Sequence, residues 1–403
     1  MDSNIVIKES YNLNFKLIKS LDLTSEVKEN WKNKSRMWGD KTHRISSYVA
    51  MFSPALANYF IKEYSEENDI ILDTFSGRGT TLLQARLDNR KAYAIDLNPF
   101  AYVLSKSKSR SFKIQDILSR INELEEEYNK SFNNYKWNKD LEIYYSRHNL
   151  KQISFIKEKL GLKWHSLSEI DNYILAITLG IMHGPMRKNG ETLYLSLHMS
   201  NHTSMSKNYV KKYAKEKKLK KPKDNVFEKI KNRAKFIILK SKYSDNVGIV
   251  KYGNALEIYN YFPNLKPKLV FTSPPYLNII NYTNQNWLKM WLLGFDTKEK
   301  NKSIGLNDDC KLYEYKNFMK SYLLNISKIS SINTTIILVI GDVRNSSFKD
   351  IWSEIKEGVP ELVIKEIYID PIKQTNKATN SMGSKAGKAT RIDRIYVFKK
   401  VNL

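Results

Sequence analysis

The sequence predicts an α/β protein built on a parallel sheet, interrupted by a long helical stretch. Three observations predict it. Short apolar runs alternate with amphipathic segments at both ends of the chain. That alternation stops between residues 113 and 245, where Leu and Ile recur at helical spacing among Lys, Glu and Asn, as in DILSRINELEEEYNK. The strand-sized runs are followed by glycine or proline turns, not by a continuing ladder. The 403 residues are ample for a large core, and 67 Lys+Arg against 42 Asp+Glu give a net charge of +25. With 41% hydrophobic and 12% aromatic residues the chain is too apolar for a disordered polyelectrolyte. A folded, strongly basic protein suits a polyanionic partner.

In order along the chain, residues 1–45 are polar and mixed. A helix is expected over 54–64, with Pro54 in its first turn. Ile70-Ile71-Leu72 form a strand ending at Asp73, and a helix follows at 80–88. KAYAID at 91–96 is the second strand, and Pro99 opens a helix at 99–109. After the helical stretch, strands are expected at 247–252 and 268–272, and a helix at 309–330. A buried strand at 335–340, a helix at 348–357 and a closing hairpin of strands at 362–369 and 391–399 complete the pattern. No internal repeat or long low-complexity tract interrupts it.

Cysteine use and hydropathy exclude several classes. The single cysteine excludes a disulfide framework and a thiolate zinc site. No apolar run approaches the roughly 18 residues of a membrane span. The opening MDSNIVIKES lacks the basic-then-apolar pattern of an export signal, so a cytoplasmic, nucleoid-associated location is expected.

The first chemical constellation is Asp73-Thr-Phe-Ser-Gly-Arg-Gly-Thr-Thr81, between a strand and a helix. Gly77 and Gly79 allow a tight turn and a close ligand approach, and amides at a helix start suit a negative group. Asp96 ends the neighbouring strand, where a carboxylate can accept from both hydroxyls of a ribose. An adenosine-type cofactor fits this pair. G-R-G is not the GxGxxG of dinucleotide loops, and no GK[ST] follows, which points away from NAD and ATP. An ordinary strand–helix turn would use the same glycines; Asp96 tips the reading toward a ligand.

The second constellation is Thr272-Ser-Pro-Pro-Tyr276, directly after the strand KLVF. Two prolines cannot continue a ladder, so they fix a rigid loop at the carboxyl end of the strand, where α/β sheets bind ligands. The Ser273 hydroxyl and the Pro274 carbonyl become fixed acceptors, Pro275 stiffens the turn, and Tyr276 offers a flat face. That set suits an exocyclic amino group whose base stacks on the ring, a base taken out of its duplex. A plain turn capping a strand is the simpler reading of Pro274-Pro275 alone.

DTFSGRGTT followed by TSPPY resembles the amino-group DNA methyltransferases that use S-adenosylmethionine. The resemblance implies a Rossmann-like seven-stranded methyltransferase sheet over 1–112 and 246–403, with 113–245 a helical, basic insertion serving target recognition. It assigns Ser273, Pro274, Pro275 and Tyr276 to catalysis. It assigns Asp73, Phe75, Ser76, Gly77, Gly79, Thr80, Thr81, Asp96, Asn98, Asn254, Ala255 and Thr272 to the cofactor. Gly253-Asn254-Ala255 stands where the family often carries Gly-Asp-Ala, whose acid contacts adenine; Asn254 departs from that pattern. Residues 40–53 loosely match the family's segment at the methionine end of the cofactor. SPPY in place of DPPY leans toward cytosine N4, with adenine N6 the nearest rival. A restriction–modification role, with a separate endonuclease as partner, is the expected setting. An RNA base methyltransferase and a DNA-binding protein with a vestigial fold are the alternatives.

Carbon-5 chemistry needs a cysteine nucleophile, and Cys310, in NDDCKL, lacks a Pro-Cys loop. His183, His198 and His202 lack a compact ligand spacing, so no metal is expected. Residues 204–240 hold 14 Lys+Arg against 3 Asp+Glu, with Tyr209 and Tyr213 among them. Lys207, Tyr209, Lys211 and Lys212 are candidates for tracking the phosphates of double-stranded DNA; a solvated helix face is the plainer reading. Arg187, Asn278 and Tyr282 are further candidates for DNA contact. Trp287 and Trp291, four apart, suit core packing.

Overall fold

The structure is a computed structural model that describes residues 6–7, 34, 38–48, 52–131, 135–186, 192–275, 285–295, 311–341, 348–371 and 392–402. One sheet is made of β1 (Val6–Ile7), β2 (Ile70–Asp73), β3 (Lys91–Asp96), β4 (Ile249–Tyr252), β5 (Leu269–Thr272), β6 (Thr335–Gly341), β7 (Leu362–Pro371) and β8 (Ile392–Lys400). Their order in space is 1-7-8-6-5-2-3-4. β8 runs antiparallel to β6 and β7, and every other neighbouring pair is parallel. The seven longer strands are those the sequence predicts. The two-residue β1 lies in the stretch 1–45 that reads as polar and mixed, and its β-branched Val6 and Ile7 pair in parallel with Glu366 and Ile367 of β7.

The helices are α1 (Pro54–Tyr64), α2 (Thr80–Leu87), α3 (Pro99–Lys106), α4 (Ile114–Ser131), α5 (Arg147–Lys159), α6 (Glu169–Ile181), α7 (Lys207–Glu216), α8 (Val226–Ile238), α9 (Ile258–Tyr261), α10 (Trp287–Leu292), α11 (Leu312–Ile329) and α12 (Phe348–Ile355). Local chemistry sets their starts. Ser53 caps α1 by accepting from Leu56 N, and Asn98 caps α3 by accepting from Phe100 N, each just ahead of a proline. α3 is shorter than the expected 99–109, because the chain turns at Ser107–Ser109.

Successive strand residues face opposite sides. Ile71, Phe271 and Ile337 pack with Phe60 of α1 and Leu82 of α2. Leu72, Val270 and Ile336 pack with Tyr322 of α11 and Trp352 of α12. Burial on both faces explains why these strands read as continuous apolar runs. The five helices α4 to α8 do not form a separate layer. Their apolar faces share one core with Phe100, Val103 and Leu104 of α3 and with Leu288 of α10.

The topology places the site. From β2 the chain moves outward through β3 to β4, then returns to lay β5 against the other side of β2. Ile71 stands opposite Leu269 and Leu72 opposite Val270, so the two strands end level with each other. Connections leave in opposite directions there, the topological switch point at which open α/β sheets form a crevice for ligands.

Candidate functional site

The glycine loop after β2 wraps onto the end of β3. Gly77 and Gly79 have φ of +51° and +73°, left-handed values that favour glycine. Gly79 is fixed a second time by packing, since a Cβ there would sit 3.0 Å from Ser105 Cα of α3. The sequence reading points both glycine amides at a negative ligand, and the structure corrects this. Gly77 N donates to Asp96 Oδ2 at 2.7 Å, and Gly79 N to Ser76 O at 2.7 Å. The anion at this turn is Asp96 itself. Its other oxygen accepts from Asn98 N at 2.8 Å. Burial, with Asp73 as a further negative neighbour, pushes the Asp96 carboxyl up to about 7.

Asp73 is buried and joins the two loops. Thr272 Oγ1 donates to Asp73 Oδ1 at 2.7 Å and accepts from Phe75 N at 3.0 Å, a bond between residues 197 positions apart in the chain. Asp73 Oδ2 is buried without a hydrogen-bond partner. Burial pushes the Asp73 carboxyl up to about 6, against hydrogen bonds led by Thr272. Thr81 Oγ1 donates to Phe271 O at 3.3 Å, a second tie between the loop helix and β5. Ser76 shares a 2.8 Å hydrogen bond with Ser105, and Thr80 Oγ1 accepts from Arg78 Nε at 3.0 Å.

Beyond Thr272, Ser273 Oγ donates to Val339 O of β6 at 2.8 Å. Pro274 is buried and Pro275 half-buried beside it. Tyr276, Asn278 and Tyr282 lie outside the described residues, as do Arg187 and Cys310. Past β4, Gly253 N donates to Asp96 O at 3.1 Å, which brings Asn254 beside the same strand end. Asn254 Oδ1 caps a short turn by accepting from Leu256 N at 3.0 Å, while its amide NH2 is a donor group. The Ala255 side chain belongs to the core.

Further residues gather at this crevice, Tyr48 from the loosely matched segment 40–53 and others without a sequence signal. Tyr48 lies against the glycine loop: a Cβ on Gly77 would sit 3.4 Å from Tyr48 Cε1. Asn98 Nδ2 donates to Tyr48 OH at 3.3 Å. Tyr322 of α11 shares a 2.7 Å hydrogen bond with Thr74, and its ring lies 5.0 Å from that of Phe75. Behind the loop, Lys108 Nζ donates to Arg78 O and Arg78 Nη1 donates to His43 O. Burial lowers all three: Arg78 to about 10, and Lys108 and His43 well below their ordinary values, with Arg78 adding to the effect on both. Basic residues in a polar sequence read as surface, so only coordinates reveal this buried set.

The basic stretch is anchored where it begins. Ser204 N donates to Gln285 O at 2.7 Å, and Tyr144 OH to Met205 O at 3.0 Å, just ahead of α7. α7 buries only Val210. Tyr209, 41% exposed, stacks on Tyr213 with centroids 5.7 Å apart. Lys211 is exposed, Lys212 lies 3.9 Å from Glu216, and Lys207 is tied to Asp140 at 2.5 Å. His183 Nε2 and His202 Nδ1 are hydrogen-bonded to Ser204 and Tyr194. Trp287 packs edge-on to Tyr144, and Lys157 lies over Trp291, so both tryptophans join the core.

The residues at this crevice fit an adenosine cofactor with a charged amino-acid end. Asp96 supplies a carboxylate at a strand end, Asn254 an amide donor, and the orphaned Asp73 Oδ2 an acceptor for a cationic group. Among the described residues, no helix is long and apolar enough to cross a membrane.

A sequence model of the DNA methylase family matches residues 6–107, the stretch that carries the glycine loop and Asp96. The Type II methyltransferase M.MjaII of Methanocaldococcus jannaschii is 24% identical over 84% of this chain and 78% of its own length. The Type II methyltransferase M.MvaI of Kocuria varians is 32% identical over 87 residues, 21% of this chain and 19% of its own. Among solved structures, the rRNA methyltransferase aviRa of Streptomyces viridochromogenes overlaps 94% of this chain and 92% of its own, with a TM-score of 0.33 at 9% identity. The family match and the long alignment point the same way: residues 6–107 match the DNA methylase family, and over most of its length the chain is similar to a Type II methyltransferase.

Proposed function

We propose that the protein is a site-specific DNA methyltransferase that moves a methyl group from S-adenosylmethionine to the N4 amino group of cytosine in double-stranded DNA. The observation that carries this reading is the hydrogen-bonded junction at Thr272, which binds the glycine loop to the segment that begins Ser273-Pro274. When bound, the cofactor supplies an electrophilic methyl group on a sulfonium sulfur. Asp96, Asn98, Asn254 and the loop from Asp73 to Thr81 would hold it.

The chain's part in the chemistry is orientation. An exocyclic amine is a poor nucleophile because its lone pair is conjugated with the ring. Two acceptors on its hydrogens let the nitrogen pyramidalise and aim that lone pair. Ser273 has its proton committed to Val339 O, so toward a ligand its oxygen acts as an acceptor. The Pro274 carbonyl is an acceptor by nature. Positioning of this kind contributes up to ~7–11 kcal/mol, and no strong base is needed, because the amine sheds its proton to solvent only after the new carbon–nitrogen bond has formed. The target must leave the duplex stack to reach such a crevice, with Tyr276 as its stacking partner.

Residues 113–245 serve in this reading as the target-recognition region, with Lys207, Tyr209, Lys211, Lys212 and Arg187 on the DNA backbone and Asn278 and Tyr282 near the extruded base. Phosphate contacts position the duplex and base-edge contacts choose the sequence. The reading extends to a restriction–modification setting, a separate endonuclease and a cytoplasmic location. Expression in a methylation-free host, digestion of its DNA to nucleosides and mass identification test the proposal. N4-methylcytosine is expected. N6-methyladenine would move the target to adenine, methyl found only in RNA would move the substrate, and DNA binding without any methyl product would leave a non-catalytic protein.

A further inference from the structure

Lys289 lies on α10, in the stretch of chain that follows the Ser273-Pro274 turn, and is 1% exposed. Its Nζ donates toward Ser47 O at 3.2 Å, Ser46 Oγ at 3.4 Å and Ser47 Oγ at 3.5 Å, and sits 4.8 Å from the Phe100 ring centroid. Among the described residues no carboxylate pairs with it. A buried ammonium without a counter-ion is costly, and a methionine would fill the space without that cost. All three acceptors come from two consecutive residues, and the next residue is Tyr48. The Tyr48 ring lies 5.5 Å from Phe100, its hydroxyl accepts from Asn98, and its edge meets Gly77. On its other side α10 is fixed by Leu288 N donating to Ser204 Oγ at 3.3 Å.

We infer that Lys289 is a positioning residue: it ties the segment leaving the acceptor loop to the Ser46–Ser47–Tyr48 wall of the glycine loop, and through that wall it sets cofactor affinity. The inference rests on reading residues 73–79 as the cofactor loop. Burial holds the Lys289 ammonium down to about 7, consistent with a group kept at this place for its hydrogen bonds and not for an ion pair.

The test is calorimetric titration of the full chain with S-adenosylhomocysteine, which needs no turnover. Lys289→Met should weaken binding about tenfold, and Lys289→Arg should recover most of the loss. Combined with Tyr48→Ala, Lys289→Met should add less than about twofold, because both act through the same wall. A purely structural role would lower the fraction of binding-competent protein and the unfolding midpoint, yet leave Kd unchanged. If Lys289→Met does not fold, the Ser46→Ala/Ser47→Ala pair, which removes two of the acceptors, carries the same tenfold expectation. Unchanged Kd in these variants, or fully additive losses with Tyr48→Ala, overturns the inference while the cofactor reading stands. A wild-type chain that does not bind S-adenosylhomocysteine takes both down.

Discussion

At the ends of β2 and β5, Asp73 and Thr272 are buried and joined by a 2.7 Å hydrogen bond, while on α7 Lys211, Lys212 and Lys215 stand in solvent. The first region holds its polar groups in one geometry before any ligand arrives. The second holds charge on long, mobile side chains. The contrast fits the roles proposed for the two regions. Transfer to a weak nucleophile gains from acceptors fixed in advance. Tracking a phosphate backbone needs charge near a surface and tolerates many arrangements.

Substitutions can break that contrast, and the largest effects are expected at the strand ends. Ser273→Ala removes one of two fixed acceptors, so methyl transfer should fall roughly 100- to 1,000-fold with S-adenosylhomocysteine affinity kept; single-turnover rates beside calorimetry check this. Asp96→Asn should weaken cofactor binding roughly ten- to hundredfold, because a charged acceptor is replaced by a neutral amide.

A pH series sharpens the same point. The Asp96 carboxyl sits near 7, so lowering the pH through 7 protonates it and removes an acceptor. Cofactor affinity should fall up to about tenfold per unit below that point, and Asp96→Asn should flatten the profile. Stability has the opposite sign. Asp73 and Asp96 are raised to about 6 and about 7, so their contribution is present at low pH and is lost as pH rises through those values. Unfolding midpoints at pH 5.5 and pH 8 compare the two.

Smaller effects belong to the basic stretch. Lys211→Ala with Lys212→Ala should flatten the salt dependence of DNA binding by about 1.8 in slope, equally for cognate and unrelated sequences. Lys207→Ala should change stability by less than ~1 kcal/mol, because its exposed pair with Asp140 is weak. A large loss of sequence preference from either would show that α7 reads bases.

The same contrast governs what could be read before coordinates. β2, β5 and β6 were legible because burial on both faces forces continuous apolar runs, and Gly77 and Gly79 because a strand–helix turn requires left-handed backbone. Asp96 and Thr272 were legible as the polar residues that end buried strands. What those groups bond to was not: Gly77 N meets Asp96, and Thr272 bridges Asp73 and Phe75, partners set by strand order. Tyr48 had only the loose match of residues 40–53, and Tyr322 and Lys289 had no signal, since an aromatic or a lysine in a polar stretch looks like any other until the chain folds over it. On α7 the charge was plain, but Lys207 turned out to be paired within the protein.

Calorimetry of Thr272→Val with S-adenosylhomocysteine tests the central claim most directly, because this residue belongs by sequence to the Ser273-Pro274 segment, the proposed acceptor, and by hydrogen bonding to the glycine loop, the proposed cofactor site. Loss of the bonds to Asp73 and Phe75 should weaken binding about tenfold and slow transfer as well. Wild-type affinity in Thr272→Val, with only transfer impaired, would mean that the two loops are neighbours that do not form one site.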